Sequence, residues 1–536
     1  MLNLGIELGS TRIKAVLIDS EKNYNTVAAG WFNWENRLEN GFWTYSLESA
    51  LDGVREAYAQ LVKNYKTETG NSLTGINSIG ISAMMHGYIP FDKNGNLLTA
   101  FRTWRNTTTE KSATILTQLF DFNIPQRWSV AHLYQAILNK EAHVPQIDFL
   151  TTLAGYVHWQ LTGEMVLGVG DASGMFPVDC EGGNLSYDKV KQNKFKELTG
   201  LRVEEILPKI LNAGEYAGKL TDKGAKILDP SGELKAGIPF CPPEGDAGTG
   251  MVATNSVAPR TGNISAGTSI FAMLVMEKPL SKVYTEIDIV TTPTGKPVAM
   301  VHCNSCTSDI DAWIQLFGEA AELMGADFDK NILYEKLYLK ALDGAKDGGG
   351  MINYNFYSGE PVASIADGCP LFFRKPESKM NLANFMRVQL YSAMATLKLG
   401  MALLEKEGVV VDFLLGHGGL FKVKGVGQKL IASALNTPID VMDSAGDGGA
   451  WGIALLSAFA VASENSKKQK NPEKAITLED FLMNNVFSNN SASRENPNPS
   501  DVVGFESFME RYTKALPVVI NASAYNLLHS GEYVLT

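Results

Sequence analysis

Residues 2–19, LNLGIELGSTRIKAVLID, hold two β-prone runs of largely alternating side chains joined by the small-residue tip Gly9-Ser10-Thr11. A period of two places successive side chains on opposite faces of a strand, and a Gly/Ser/Thr link between two such runs predicts a hairpin. Residues 262–278, GNISAGTSIFAMLVMEK, repeat the arrangement with Gly267-Thr268-Ser269 at the turn. Elsewhere the period becomes helical: 44–66 carries Leu47, Leu51, Val54 and Leu61 at helical spacing, and 381–407 offers Phe385, Val388, Leu390 and Leu397 for burial. Helices are also expected over 145–164, within 216–240, around Trp313, over 426–435 and 505–515, and over the apolar 450–462, which Asp443-Ser444-Ala445-Gly446-Asp447-Gly448-Gly449 would cap. Residues 76–91 read as a buried strand, the run Met84-Met85-His86-Gly87 and a second strand, closed by a tight turn at 92–95. Strands are expected at 101–106 and 409–419, the latter running into Gly416, Gly418 and Gly419.

Two similar hairpins far apart in one chain suggest a duplicated domain. At 536 residues the chain exceeds the usual limit of one hydrophobic core, so two domains are expected. The fold class is α/β and resembles the duplicated actin-like (ribonuclease H-like) ATPase fold, in which two domains flank a cleft and a nucleoside triphosphate is clamped between two such hairpins. Expected bounds are 1–255 and 256–465. Beyond Ser463 the polar segments SENSKKQKNPEK and SNNSASRENPNPSD read as linker or mobile loop, so 466–536 is expected to be linker plus a helical extension.

The first chemistry lies at Gly245-Asp246-Ala247-Gly248-Thr249-Gly250, followed by Ser265-Ala266-Gly267-Thr268-Ser269. Successive amides in a small-residue turn form a concavity suited to phosphate oxygens. An isolated carboxylate upstream of it suits transfer of a phosphoryl group to a hydroxyl, since the carboxylate accepts the hydroxyl proton while the turn and a metal ion hold the donor. By itself the stretch also fits a Gly-rich loop with a capping Asp. Glu7, among Leu4, Ile6 and Leu8 and close to the first tip, is a candidate outer-sphere holder of magnesium or a solvated strand residue, with Lys14 on the next strand. His86 is either a pocket residue or a satisfied core histidine. Trp104 and Arg105 could meet sugar hydroxyls and a sugar face, or serve packing and surface charge. Glycines at 416–419 would let a flat ring such as adenine lie against backbone, although a plain strand-to-helix turn has the same composition.

Composition narrows the classes. Hydrophobic residues make up 45% and charged residues 20%, as in ordinary globular proteins, and a net charge of −11 argues against a nucleic-acid surface. The chain opens directly into a strand with neither a basic segment nor an apolar signal core, and its most apolar stretch is too short to span a bilayer, so a cytoplasmic location and no membrane partner are expected. Five cysteines in so long a chain do not make a disulfide framework, and the lone Cys303-Asn304-Ser305-Cys306 lacks the second pair that a zinc site needs.

Over 1–460 the motifs GIELGSTRIKA (5–15), IGISAMMHG (79–87), TWRN (103–106), LTGE (161–164), DASG (171–174), GDAGTG (245–250), SAGTS (265–269), the GE of YSGEP (357–361) and LLGHGG (414–419) stand in the order of the FGGY carbohydrate kinases, which the chain therefore resembles. The Met-His-Gly run looks like the xylulokinase branch, and the overall pattern is also similar to a group of ribulokinases. The resemblance implies ATP and Mg²⁺ as cofactors and a small-molecule sugar as substrate. Asp246 would be the catalytic base, and Met85, His86, Trp104 and Arg105 would line the sugar site. Gly9, Ser10, Thr11, Lys14, Gly267, Thr268 and Ser269 would hold phosphates, and Gly418 and Gly419 would back the adenine. A homodimer is a possible assembly. Three departures stand out: Glu7 replaces the family's usual Asp, Trp104-Arg105-Asn106 lacks the Asp and Arg of the second sugar loop, and Arg127-Trp128-Ser129-Val130-Ala131-His132 replaces the Lys-x-x-Trp stretch. The leading expectation is phosphorylation of a ketopentose, L-ribulose or D-xylulose, on its terminal hydroxyl. Alternatives are a kinase for glycerol or gluconate, and an actin-like sugar sensor without catalysis.

Overall fold

The computed structural model describes residues 1–180, 185–442, 448–468, 476–488 and 492–524. Residues 443–447 of the expected cap and parts of both polar segments lie outside the described residues. The chain forms two compact units, one made of Met1–Pro259, Glu277–Val298 and Ser444–Asn490, the other of Arg260–Met276, Ala299–Asp443 and Ser491–Thr536. Bounds near 255 and 465 follow the linear order of the chain, whereas these units are each assembled from three stretches.

In the first unit the sheet runs in the order Glu244–Gly245, Ser78–Ala83, Leu2–Leu8, Arg12–Asp19, Asn25–Asn33. Leu2–Leu8 is antiparallel to its hairpin partner and parallel to Ser78–Ala83. Each face of the sheet is closed by a helix, and glycine sets both approaches. Gly5 lies opposite Val16, and a Cβ on it would meet the Ala450 carbonyl at 2.1 Å, so Gly448–Lys468 covers that face. Gly30 lies opposite Ala15, on the other face, where a Cβ would meet the Ala57 carbonyl at 2.2 Å in the helix Leu47–Thr69.

The second unit repeats the plan. Its sheet contains Pro297–Cys303, Ile270–Val275, Thr261–Ala266, Phe413–His417, Ile439–Met442 and Ala492–Glu495 in that order. Thr261–Ala266 is antiparallel to its hairpin partner and parallel to Phe413–His417, as Leu2–Leu8 is to its two neighbours. The helix Leu382–Lys406 is largely buried, and a Cβ on its Gly400 would meet Val301 Cγ1 at 2.3 Å.

Several local expectations change. Residues 145–164 are not one helix: Phe149–Thr151 pairs antiparallel with Ile89–Phe91, and the helix starts at Leu153, with Thr152 accepting from the Gly155 N–H. The β-prone Phe-Leu-Thr run and the capping hydroxyl override helical propensity there. Residues 101–106 form a single bridge, Tyr88 with Arg102, followed by a turn. In the second polar segment, Ala492–Glu495 is a strand on Ile439–Met442, held by Arg494 across to Asp440 through two bonds of 2.6 Å. The last helix spans Pro499–Ala524, beyond the expected 505–515 at both ends, and its early start is fixed by Asn498, which accepts from the Ser500 and Asp501 N–H groups.

Candidate active site

Asp246 is the first residue of the helix Asp246–Ala253, reached from the short strand Glu244–Gly245. Its Oδ1 accepts from the Met85 and Ala247 N–H groups at 3.1 and 3.0 Å. Desolvation by the walls around it holds its carboxyl above the ordinary value, with those N–H bonds and the Arg127 charge pulling the other way. Met85 packs so closely on Gly245 that a Cβ there would meet Met85 Cγ at 2.1 Å.

His86 follows with φ +68 and Gly87 with φ +104. A left-handed backbone suits Gly87 but is strained at a histidine. His86 Nδ1 lies 3.1 Å from the Gly174 carbonyl. Since the carbonyl accepts, Nδ1 carries the proton and Nε2 is left as an acceptor. Burial, reinforced by Arg127, pushes the imidazole down to about 3, so it is neutral. Its ring stacks on Trp128 at a centroid distance of 6.1 Å.

Four further residues of this region were given no role from the sequence. Arg127 pairs with Asp288, which also accepts from Asn123 Nδ2 at 3.2 Å. Behind Asp246, Glu244 accepts from the Gly170 and Asp171 N–H groups, and Asp171 accepts from the Thr152 hydroxyl at 2.6 Å. Both carboxyls are buried and pushed up by desolvation and by neighbouring carboxylates. The DASG and EGD runs carried the signal for that pair. Nothing local marked Asp288.

Glu7 lies directly across from Lys14 on one side and Ser82 on the other. Its Oε2 accepts from the Ala450 N–H at 3.1 Å, and desolvation together with repulsion from Asp246 pushes the carboxyl up to about 7. Ser82 and Thr249 hydroxyls meet at 3.0 Å beside it. Two carboxylates that repel each other fit a divalent cation, which would relieve both. Among the described residues no group of three or more His, Cys, Asp or Glu could hold a metal by itself, so such a cation would draw its other oxygens from phosphate and water.

Both hairpin tips have their carbonyls held from behind, although the first, closed by the Leu8 and Ile13 pair, is one residue longer than the second, closed by the Ala266 and Ile270 pair. In the first, the Gly9 N–H bonds the Arg12 carbonyl at 3.0 Å. The carbonyls of Gly9, Ser10 and Thr11 accept from Trp34 Nε1 at 2.7 Å, the Tyr45 hydroxyl at 2.6 Å and the Trp34 N–H at 3.2 Å. In the second, the Gly267 carbonyl accepts from the Thr307 N–H at 3.1 Å and Oγ1 at 2.9 Å, and the Thr268 carbonyl accepts from the Cys306 N–H at 2.8 Å. Among the described residues, the N–H groups of Ser10, Thr11, Thr268 and Ser269 bond no protein atom. The CxxC segment therefore backs this hairpin, and its buried Cys303 and Cys306 thiols are pushed up by desolvation.

Gly418, at φ +105, approaches the second hairpin: a Cβ on it would meet the Ala266 carbonyl at 2.5 Å. Gly419 lines a cavity of about 580 Å³ with Thr307, Asp311, Tyr334, Tyr338 and Lys422, a volume in the range of small-molecule sites. Trp104 is exposed, and the Arg105 guanidinium sits 3.9 Å over the Trp43 ring. Among the described residues no hydrogen bond or ring contact joins either to His86 or Asp246.

Comparison with known proteins gives one consistent result. Residues 2–253 match the N-terminal domain, and residues 262–461 the C-terminal domain, of the FGGY family of carbohydrate kinases. The chain is 23% identical over 527 residues to a xylulose kinase of Haemophilus influenzae, covering 95% of this chain and 98% of that protein. In fold it is similar to a ligand-bound xylulose kinase from Lactobacillus acidophilus (17% identity, TM-score 0.76, 98% of this chain and 99% of that one). A gluconate kinase from Lactobacillus acidophilus is similar to the same degree (16% identity, TM-score 0.76, 97% and 99%). Among the described residues no helix is long and apolar enough to cross a membrane.

Proposed function

The chain belongs to the FGGY family of carbohydrate kinases and is an ATP-dependent sugar kinase, and on that premise we propose that its acceptor is a ketopentose of the L-ribulose or D-xylulose class, phosphorylated on its terminal primary hydroxyl. The observation that carries this reading is the turn joining Met85, His86 and Asp246: one N–H of a strained strand end holds the carboxylate, and the next residue offers a neutral ring with Nε2 as acceptor. A sugar hydroxyl is a donor and an acceptor, so one hydroxyl can give its hydrogen to His86 Nε2 while the reacting one faces Asp246. The reacting oxygen attacks the γ-phosphorus, the bond from that phosphorus to the β-phosphate oxygen breaks, ADP leaves, and the hydroxyl proton passes to Asp246.

The N–H groups of Ser10, Thr11, Thr268 and Ser269, which bond no protein atom among the described residues, suit the ATP phosphates, with Gly9 and Gly267 shaping the turns and Lys14 adding charge. Gly418 and Gly419, beside the cavity with Tyr334 and Tyr338, suit the adenine. Mg²⁺ would supply neutralisation of the phosphate charge, and Glu7 would hold it through water. Trp104 and Arg105 would form the rim of the acceptor site.

The xylulose kinase of Haemophilus influenzae supports the ketopentose reading, and the gluconate kinase fold match makes a sugar acid the competing acceptor. ADP release measured with L-ribulose, D-xylulose, gluconate and glycerol decides. The proposal expects kcat/KM highest for one of the two ketopentoses, and a higher value for gluconate or glycerol overturns it.

A further inference from the structure

We infer that Tyr45 and Thr307 are positioning residues that set which way the amides of the two hairpin tips face; the inference rests on the reading that those tips hold ATP phosphates. A peptide unit is planar and trans, so its N–H points opposite to its C=O. In a tight tip the central peptide can rotate as a unit, exchanging the face that bears the hydrogen for the face that bears the oxygen. An anion is bound by the first arrangement and repelled by the second.

Each tip carries a device against that rotation. The peptide joining Ser10 to Thr11 has its oxygen held by the Tyr45 hydroxyl at 2.6 Å, which aims the Thr11 N–H away from Tyr45. The preceding peptide is held by Trp34 Nε1 on the Gly9 carbonyl, aiming the Ser10 N–H likewise. Trp34 and Tyr45 stack at 4.2 Å with 27° between planes and are 6% and 4% exposed, so the two donors form one rigid, buried backing. In the second tip the peptide joining Gly267 to Thr268 has its oxygen held twice by Thr307, and the next peptide is held by the Cys306 N–H. The backing groups differ between the tips, an aromatic pair in one and a turn ahead of a helix in the other. Counted from the tip glycine, Trp34 and Thr307 hold the first peptide, and Tyr45 and the Cys306 N–H hold the second.

The outcome differs from that of a packing residue. Loss of the Tyr45 hydroxyl removes one donor, leaves the ring stacked on Trp34, and frees the Ser10–Thr11 peptide to rotate. A hydrogen bond of this kind is worth a factor of about 2–10. Thr307 keeps its N–H bond to Gly267 when its hydroxyl goes, so its effect should be smaller.

The test uses the whole chain with Tyr45→Phe, Thr307→Val and Thr307→Ser. The readouts are the dissociation constant of a non-hydrolysable ATP analogue with Mg²⁺, the KM values for ATP and for the best sugar, and the melting temperature. Expected are a severalfold weaker analogue affinity and raised ATP KM in Tyr45→Phe, a smaller loss in Thr307→Val, near-parental values in Thr307→Ser, and an unchanged sugar KM in all three. Tyr45→Phe with parental analogue affinity overturns the inference alone. Parallel rises in both KM values with a lowered melting temperature also overturn it, in favour of packing. A parent protein that does not bind the analogue overturns the phosphate reading of the tips and the inference with it.

Discussion

At φ +68, His86 occupies a backbone conformation that costs a non-glycine residue of order 1–3 kcal/mol, a cost that persists where the surroundings over-determine it and often where function uses it. The Gly174 carbonyl fixes its tautomer and burial fixes its charge, so its Nε2 is an acceptor throughout the physiological range. His86→Ala should raise the KM for sugar at least severalfold and leave that for ATP nearly unchanged in steady-state kinetics; an unchanged sugar KM would return His86 to the packing role its composition also allowed. Glu360 makes a separate prediction. It is fully buried with its Oε2 accepting from the Asn304 N–H at 2.7 Å, and desolvation pushes it up to about 7 from 4.5. An acid whose folded value is raised keeps its proton in the folded state after the unfolded chain has lost it. Its stabilisation is therefore full below about pH 4.5 and is lost as pH rises to about 7. Glu360→Gln cannot lose that proton, so its melting temperature relative to the parent should climb between pH 5 and pH 8; a constant difference would contradict the assignment. The runs that hold Asp246 and His86 stood out in the sequence as short motifs, and the structure brings them together through the Met85 N–H. The pairing of Arg127 with Asp288 was not legible there, because a lone ion pair between distant segments leaves no local pattern.

Among elements, the two hairpins were legible because a period of two and a small-residue tip are local signals, and the long helix Leu382–Lys406 because its apolar spacing is helical. The strand Ala492–Glu495 was not: its four residues are polar, and an ion pair to Asp440 rather than apolar alternation secures them. The start of the helix at Leu153 was hidden for a different reason, since Phe149–Thr151 is apolar enough to continue either a helix or a strand and tertiary pairing decides. The closeness of the helix Gly448–Lys468 to the first sheet gives a direct test of packing. A Cβ at Gly5 would meet Ala450 O at 2.1 Å and Ala454 N at 2.7 Å, backbone atoms that cannot swing aside. Gly5→Ala should therefore destabilise the first unit by about 1–3 kcal/mol or more in denaturant unfolding. Gly75→Ala, where nothing lies within 4 Å, serves as the control and should be near neutral. Equal effects at both positions would mean that the helix does not pack as described.

On the scale of the whole molecule, the sequence showed duplication through the hairpins alone, and the structure extends it to the sheets: each has a central strand antiparallel to its hairpin partner and parallel to a strand from much later in the chain. Those parallel partners, like the three-stretch makeup of each unit, follow from long-range pairing that no window of sequence contains. A net charge of −11 is compatible with a polyanionic co-substrate, because backbone amides bind phosphate without any side-chain charge. The account of the reaction depends on Asp246, the carboxylate at the helix start that the Met85 N–H holds. Asp246→Asn preserves its size and one acceptor while removing its charge and basicity. General-base contributions are about 10²–10⁴-fold, so turnover should fall by at least about 10²-fold. The decisive measurement is steady-state phosphorylation of L-ribulose and D-xylulose by the Asp246→Asn protein, alongside its melting curve and its affinity for an ATP analogue. A loss of that size with melting temperature and analogue affinity retained is the expected result; a folded variant that turns over at nearly the parental rate would contradict Asp246 as the base.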